Sequence, residues 1–226
     1  ETPEEEPRPL EEEIDFILGT AALYMDPAPT RADILSMFAG QRPLAAPSRE
    51  GKSTKELSRG HKIIVSDHSL ITITGGKWTS YRKMAEDTVD KAGVLGLLPL
   101  RKCMTRRFPI HGYREHPDLT NHLYVYGSDM PAIAELMRQG YDTKLVEGLD
   151  YTEAEVVWAV REEMARTVED VLARRVRILF VDARRAVQAA PRVAQLLAAE
   201  LGYDEVWERA QVEQFTRLAE HYYPSV

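Results

Sequence analysis

The residues best suited to chemistry lie together in one run, Ile71-Thr72-Ile73-Thr74-Gly75-Gly76-Lys77-Trp78-Thr79-Ser80-Tyr81-Arg82. It reads as a strand, a glycine pair and the start of a helix. Paired glycines let the backbone turn sharply and pass close to a ligand. A helix start offers unpaired N–H groups and a partial positive charge, to which Lys77 adds a full one. Together these favour an anion or an electron-rich carbonyl. Thr79 and Ser80 can cap the helix or donate to the same ligand. Spacing alone leaves an ordinary strand–turn–helix equally open, because a lone glycine pair is a weak signal. The phosphate-loop spacing is absent, and no G-x-G-x-x-G dinucleotide fingerprint occurs anywhere in the chain.

Other reactive residue types are sparse. The six histidines show no metal-ligand spacing and no metal is expected. His61 and His68 flank a predicted hairpin, and each is expected to be solvated or hydrogen-bonded rather than a base. A single cysteine, Cys103, rules out a disulfide within the chain and fits a reducing compartment. The net charge of −7 argues against a general nucleic-acid binder. With 226 residues, 44% hydrophobic and 29% charged, the chain can bury a substantial core as one or two domains. No apolar run approaches the ~20 residues that span a bilayer.

The elements that must position these groups follow from periodicity. Residues 1–9 are acidic and proline-rich and read as an arm. Residues 10–24 form a helix with Ile14, Ile17, Leu18 and Ala21 on one face. Thr30 can cap a short turn through Asp33, and residues 35–41 read as a strand. Residues 45–55 read as a surface loop. Two β-branched segments, 61–66 and 70–74, predict a hairpin. Behind Gly75-Gly76 the stripe Tyr81, Met84, Ala85, Thr88, Val89 and Ala92 predicts a helix closed near Gly93 and Gly96.

The second half predicts no strand and roughly five helices. Asp129, Asp182 and Asp204 are expected N-caps, Thr152–Glu155 a capping box and Thr167–Asp170 a further start. Pro191 is expected to begin a new helix and Gly202 to close it. On the last helix Val206, Trp207, Ala210, Phe215 and Leu218 are expected to face mostly inward. The arginine-rich stretch from Arg161 to Arg185 is interleaved with acids, so an ion-paired face is expected. Met164, Val168, Leu172 and residues 178–181 are assigned to the core.

The run Gly75-Gly76-Lys77-x-Thr79-Ser80-Tyr81-Arg82-Lys83 resembles the signature near the end of the flavin domain of FAD-dependent glycerol-3-phosphate dehydrogenases. Gly40-Gln41-Arg42-Pro43-Leu44 and Leu57-Ser58-Arg59 resemble the same family, as does the helical stretch from Arg161 to Arg175. The resemblance implies an α+β chain: the C-terminal remnant of an FAD and substrate domain over residues 1–98, then an all-α helical cap over 99–226. It implies that Arg42 contacts substrate over the flavin ring and, with Lys77, is catalytic. It implies that Arg59 binds the substrate phosphate, and that Gly75, Gly76, Lys77, Thr79 and Ser80 bind the cofactor, FAD. A guanidinium fork suits a phosphate monoester.

Implied partners are glycerol 3-phosphate and a quinone acceptor, with no nucleic acid. A membrane surface and a second copy of the chain are further candidates, and peripheral association with the inner or cytoplasmic membrane is the expected location. The βαβ unit that grips the ADP half of FAD has no counterpart here, so the chain alone is expected to hold no flavin stably and to be inactive. Two alternatives stay open. One is an oxidase delivering electrons to oxygen. The other is a non-catalytic role for the helical half as an interaction or membrane-docking module.

Overall fold

The computed structural model describes residues 4–41, 60–99 and 101–224. By contacts the chain divides into two units, Glu1–Gly40 with His111–Val226, and Gln41–Ile110. The boundary expected between residues 98 and 99 rests on Gly93, Gly96 and Pro99 behind the helix, a different criterion from contacts. The architecture is α+β, as expected: a two-stranded antiparallel sheet with several helices. Arg42 and Arg59, and the loop at 45–55, lie outside the described residues.

In the smaller unit, β1 (His61–Val65) pairs antiparallel with β2 (Ile71–Gly75), in the register His61↔Gly75 and Ile63↔Ile73. The connecting turn closes through Ser66 N–H to Leu70 C=O at 3.0 Å, with Ser69 at φ +63°. After Gly76 a single 3-10 turn, Trp78–Ser80, leads into α2 (Tyr81–Leu95), which ends at Gly96 rather than Gly93. Two of the six residues in its predicted stripe, Met84 and Thr88, are partly covered, but Tyr81, Ala85, Val89 and Ala92 are exposed.

The larger unit begins with α1 (Glu11–Ala21), where Ile14 is buried and Leu18 and Ala21 are partly covered. Ile17, expected on that face, is 65% exposed. Thr30 and Asp33 close the turn at residues 31–33, with Thr30 N–H donating to Asp33 Oδ2 at 2.7 Å. Residues 35–41, expected as a strand, are irregular. Their backbone and side-chain bonds go singly to helical segments instead of to a neighbouring strand. Met37 N–H donates to Tyr222 C=O (2.9 Å), Ala183 N–H to Leu35 C=O (3.3 Å) and Ser36 Oγ to Leu179 C=O (2.7 Å). Phe38 meets Phe180 edge-on.

The helical core comprises α3 (Met130–Leu136), α4 (Glu153–Glu162), the short α5 (Ile178–Val181), α6 (Ala183–Leu201) and α7 (Glu205–Ala219). Single π turns follow α3 at Met137–Tyr141 and precede α5 at Asp170–Arg175. Asp182 and Asp204 cap as expected, accepting from Arg185 N–H (3.0 Å) and Trp207 N–H (2.9 Å), and Gly202 closes α6 at φ +76°. Thr167 and Asp170 bond reciprocally, Asp170 N–H to Thr167 Oγ1 and Thr167 N–H to Asp170 Oδ2. Asp129 precedes α3, but its carboxylate turns to His111 Nε2 at 2.7 Å instead of capping.

Pro191 does not start a helix; it sits inside α6. An interior proline removes one hydrogen bond and costs about 3 kcal/mol. The buried stripe Ala186, Ala190, Val193, Ala194 and Leu197 runs through it without a break, and burial on that scale keeps one helix continuous.

Val168, Leu172, Ile178 and Leu179 are fully buried as expected, but Met164 is 77% exposed and Val181 half-exposed. Met164 has φ +59°, a conformation that takes the residue out of the helical face it was assigned from. On α7, Phe215 is buried and Trp207 and Leu218 partly so, whereas Val206 and Ala210 face solvent. The arginine-rich stretch is an ion-paired surface. Arg161 chelates Glu200 with two 2.7 Å bonds, Arg174 pairs with Glu169 and Asp170, Arg175 with Glu163 and Arg185 with Asp182. Arg166 donates to the Val160 and Ala165 carbonyls, while Arg177 and Arg184 lie over Phe180 and Tyr223.

Two acids of α4 are almost wholly buried. Glu153 is held by Arg192 through bonds of 2.7 and 2.9 Å. Glu155, 1% exposed, accepts from Thr152 N–H (2.7 Å) and Tyr126 Oη (3.2 Å), and His122 Nε2 lies 3.2 Å away. The capping box read at Thr152–Glu155 is therefore also the buried polar centre of this unit, where each carboxylate oxygen has a partner, as low-dielectric surroundings require.

Candidate functional site

The strand–glycine–helix segment is where the sequence places its chemistry. Gly75 and Gly76 have φ +74° and +80°, the left-handed region that side chains disfavour by about 1–2 kcal/mol. Space disfavours a side chain at the second position as well. A Cβ on Gly76 would sit 2.6 Å from Met84 Sδ and 3.2 Å from His61 Cβ. Both glycines are thus favoured by the turn itself, and their partly covered backbone lies next to the exposed Lys77.

Lys77 is exposed and, among the described residues, engages no carboxylate. Its backbone is fixed instead. Ser80 Oγ donates to Lys77 C=O at 2.9 Å and accepts from Lys77 N–H at 3.3 Å, and Ser80 N–H also reaches Lys77 C=O at 2.9 Å. Ser80 therefore caps the turn, one of the two roles open to it. Thr79 is exposed, and Trp78 stacks on Tyr81 with ring centres 5.6 Å apart. The local arrangement is a free cation at a helix start, with glycine backbone beside it. It suits a planar, electron-rich group that gains negative charge.

Behind the turn lies a charged layer that the sequence did not reveal as one unit. His61 Nε2 lies 3.0 Å from Asp87 Oδ2, and Lys83 Nζ 2.7 Å from Asp87 Oδ1. Lys83 holds the Asp87 carboxyl below its usual range, with a smaller contribution from His61. An ionised Asp87 accepts, so His61 Nε2 is the donor. One turn away Arg82 lies 2.7 Å from Glu86 and donates to Thr105 Oγ1 at 3.2 Å. Arg82 is the close ionic partner of the buried Glu86 Oε2. Glu86 is lowered chiefly by Arg82, and Cys103 chiefly by its bond with Thr105. The i, i+4 spacing of Lys83–Asp87 and Arg82–Glu86 was readable. The partnership of His61 with Asp87 needed the hairpin register.

Of the predicted site residues, Gly75, Gly76, Lys77, Thr79 and Ser80 fall on this one turn. Arg42 and Arg59 lie outside the described residues. Among the described residues no group of three or more His, Cys, Asp or Glu could hold a metal ion, and no helix is long and apolar enough to cross a membrane.

Residues 70–208 match the family described as the C-terminal domain of alpha-glycerophosphate oxidase. The chain is 35% identical over 219 residues to a probable mitochondrial glycerol-3-phosphate dehydrogenase of Dictyostelium discoideum, covering 86% of this chain and 34% of that one. It is 33% identical to the mitochondrial glycerol-3-phosphate dehydrogenase SDP6 of Arabidopsis thaliana, covering 95% and 39%. It is 32% identical to the mitochondrial glycerol-3-phosphate dehydrogenase of Homo sapiens, covering 92% and 32%. The chain thus spans between 32% and 39% of the length of these three relatives. The matched region takes in the glycine turn and α2 as well as most of the helical unit, and on that ground the chain belongs to the glycerol-3-phosphate oxidase and dehydrogenase family, as its C-terminal domain.

Proposed function

We propose that this chain is the C-terminal part of an enzyme that oxidises the C2 hydroxyl of sn-glycerol 3-phosphate to dihydroxyacetone phosphate. The observation that carries this reading is the left-handed Gly75-Gly76 turn beside the exposed Lys77, in a chain whose relatives are named glycerol-3-phosphate dehydrogenases. The residues fit FAD. Lys77 and the helix start supply positive charge beside the partly exposed glycine backbone. When bound, FAD supplies the hydride acceptor, with electrons passed on to a quinone.

In this proposal Lys77 and the N–H groups near Trp78 and Thr79 would hold the flavin and supply the positive charge that favours its accepting a hydride. Ser80 keeps that turn closed. Arg42 and Arg59 hold the phosphate and orient the C2–H bond, work suited to bidentate guanidinium groups. The 226-residue chain alone holds no flavin tightly, because it carries no G-x-G-x-x-G motif for the ADP half. The family description as an oxidase favours a second reading of the final acceptor, oxygen in place of quinone, and an oxygen electrode separates the two.

Variants of the full-length polypeptide test the site. Arg42→Ala is expected to raise KM for glycerol 3-phosphate, and Lys77→Met to lower kcat about 10- to 100-fold, as for loss of a group that acts on developing charge. Wild-type kinetics in both variants would remove this turn and this arginine from the active site.

A further inference from the structure

The space a side chain would take at Gly76 is filled by Met84 of α2 and by the Cβ of His61, the first residue of β1. His61 sits directly opposite Gly75 in the sheet register. Its ring crosses to α2 and donates to Asp87, 3.0 Å away, and Lys83 holds the other oxygen of the same carboxylate. One side chain thus has its Cβ beside the glycine turn, in the space a side chain at Gly76 would need, and ties the following helix with its ring. The turn itself has two consecutive left-handed residues, a backbone with many accessible alternatives when unsupported. Lys77 lies one residue beyond it.

From this we infer that His61, through Asp87, is a positioning residue: it sets the angle at which α2 leaves β2 and hence where Lys77 and the adjoining N–H groups point. The inference rests on the flavin reading given above for the same turn. His61 touches no reacting group in this account; it acts through the direction of Lys77. Ser80 cannot substitute for it, since Ser80 bonds only within the turn, to Lys77 itself. The Lys83–Asp87 and Arg82–Glu86 pairs cannot either, as both lie within α2 and leave its angle to the sheet unset. A displacement on the order of 1 Å at such a group costs up to about 100-fold in rate.

The test uses the full-length, flavin-loaded polypeptide with His61→Ala, His61→Gln and the wild type. Glutamine keeps an amide N–H donor for Asp87, so it separates the strut from mere packing. In H61A, flavin stays bound, the rate of its reduction by glycerol 3-phosphate falls about 10- to 100-fold, and KM changes little. H61Q recovers most of that loss. Backbone amides of Gly76 and Lys77 exchange hydrogen faster in H61A and return towards the wild-type rate in H61Q. Reduction at the wild-type rate in H61A, or an equal loss in H61A and H61Q, would overturn the inference. So would unchanged amide exchange at Gly76 and Lys77, a readout that does not depend on flavin. A wild-type polypeptide that binds no flavin would instead overturn the flavin reading, and the amide exchange would still decide the strut.

Discussion

Replacing Gly76 with alanine tests the glycine turn most sharply. Two separable costs arise. The residue holds φ +80°, which costs an L-residue about 1–2 kcal/mol. The new methyl would also lie 2.6 Å from Met84 Sδ, 3.0 Å from Met84 Cε and 3.2 Å from His61 Cβ. Methionine is flexible and can swing aside, whereas His61 Cβ is anchored to β1, so relieving the contact costs about 1–2 kcal/mol, the low end for overpacking. The sum is about 2–4 kcal/mol of local stability, or roughly 30- to 700-fold faster amide hydrogen exchange along β2 (residues 71–75) if opening is local. Adding Met84→Ala should recover only part of the steric share and none of the backbone share, as a double-mutant cycle would show. Exchange within twofold of wild type in Gly76→Ala would refute the left-handed turn. Complete recovery by Met84→Ala would show that contact, not backbone conformation, is what demands glycine.

Two further outcomes follow from the helical unit. The Asp170 carboxyl is buried enough that desolvation alone would raise it, but bonds from Arg166 N–H and Thr167 hold it below its usual value. Its folded pKa being depressed, its contribution is complete above the unfolded value near 4 and is lost as pH falls through the folded value. Asp170→Asn should therefore be destabilised at pH 6, with the gap to wild type closing in acid below about pH 4; a gap independent of pH would contradict this. Leu197→Ala removes a fully buried side chain from the C-terminal part of α6 and should cost about 2–5 kcal/mol by denaturant unfolding; a loss below about 1 kcal/mol would place Leu197 outside the core.

The parts legible in the sequence were those set by local chemistry. The caps at Asp182 and Asp204, the closure at Gly202 and the hairpin around residues 61–75 each follow from residues within a few positions of one another. What was not legible was decided by distant partners. Residues 35–41 carry the apolar side chains Leu35, Met37 and Phe38 at alternate or adjacent positions, but hydrogen bonds of this segment go to Tyr222, Ala183 and Leu179, more than 140 positions away for each pair. Pro191 signals a helix start by local rules, and only the continuous buried stripe of α6 overrules it. Met164 fits the helical period, yet its left-handed backbone turns it to solvent, where Arg166 and Arg175 brace neighbouring carbonyls. At the candidate site the glycine pair, Lys77 and Ser80 were readable. The bracing of the turn by His61 and Asp87 depended on which residue of β1 faces Gly75.

The most direct test of the central claim is anaerobic addition of glycerol 3-phosphate to the full-length, flavin-loaded polypeptide, with the oxidised-flavin absorbance followed. Rapid bleaching, slowed in Lys77→Met, is the predicted result. Bound flavin that stays oxidised in excess glycerol 3-phosphate would contradict the proposed substrate.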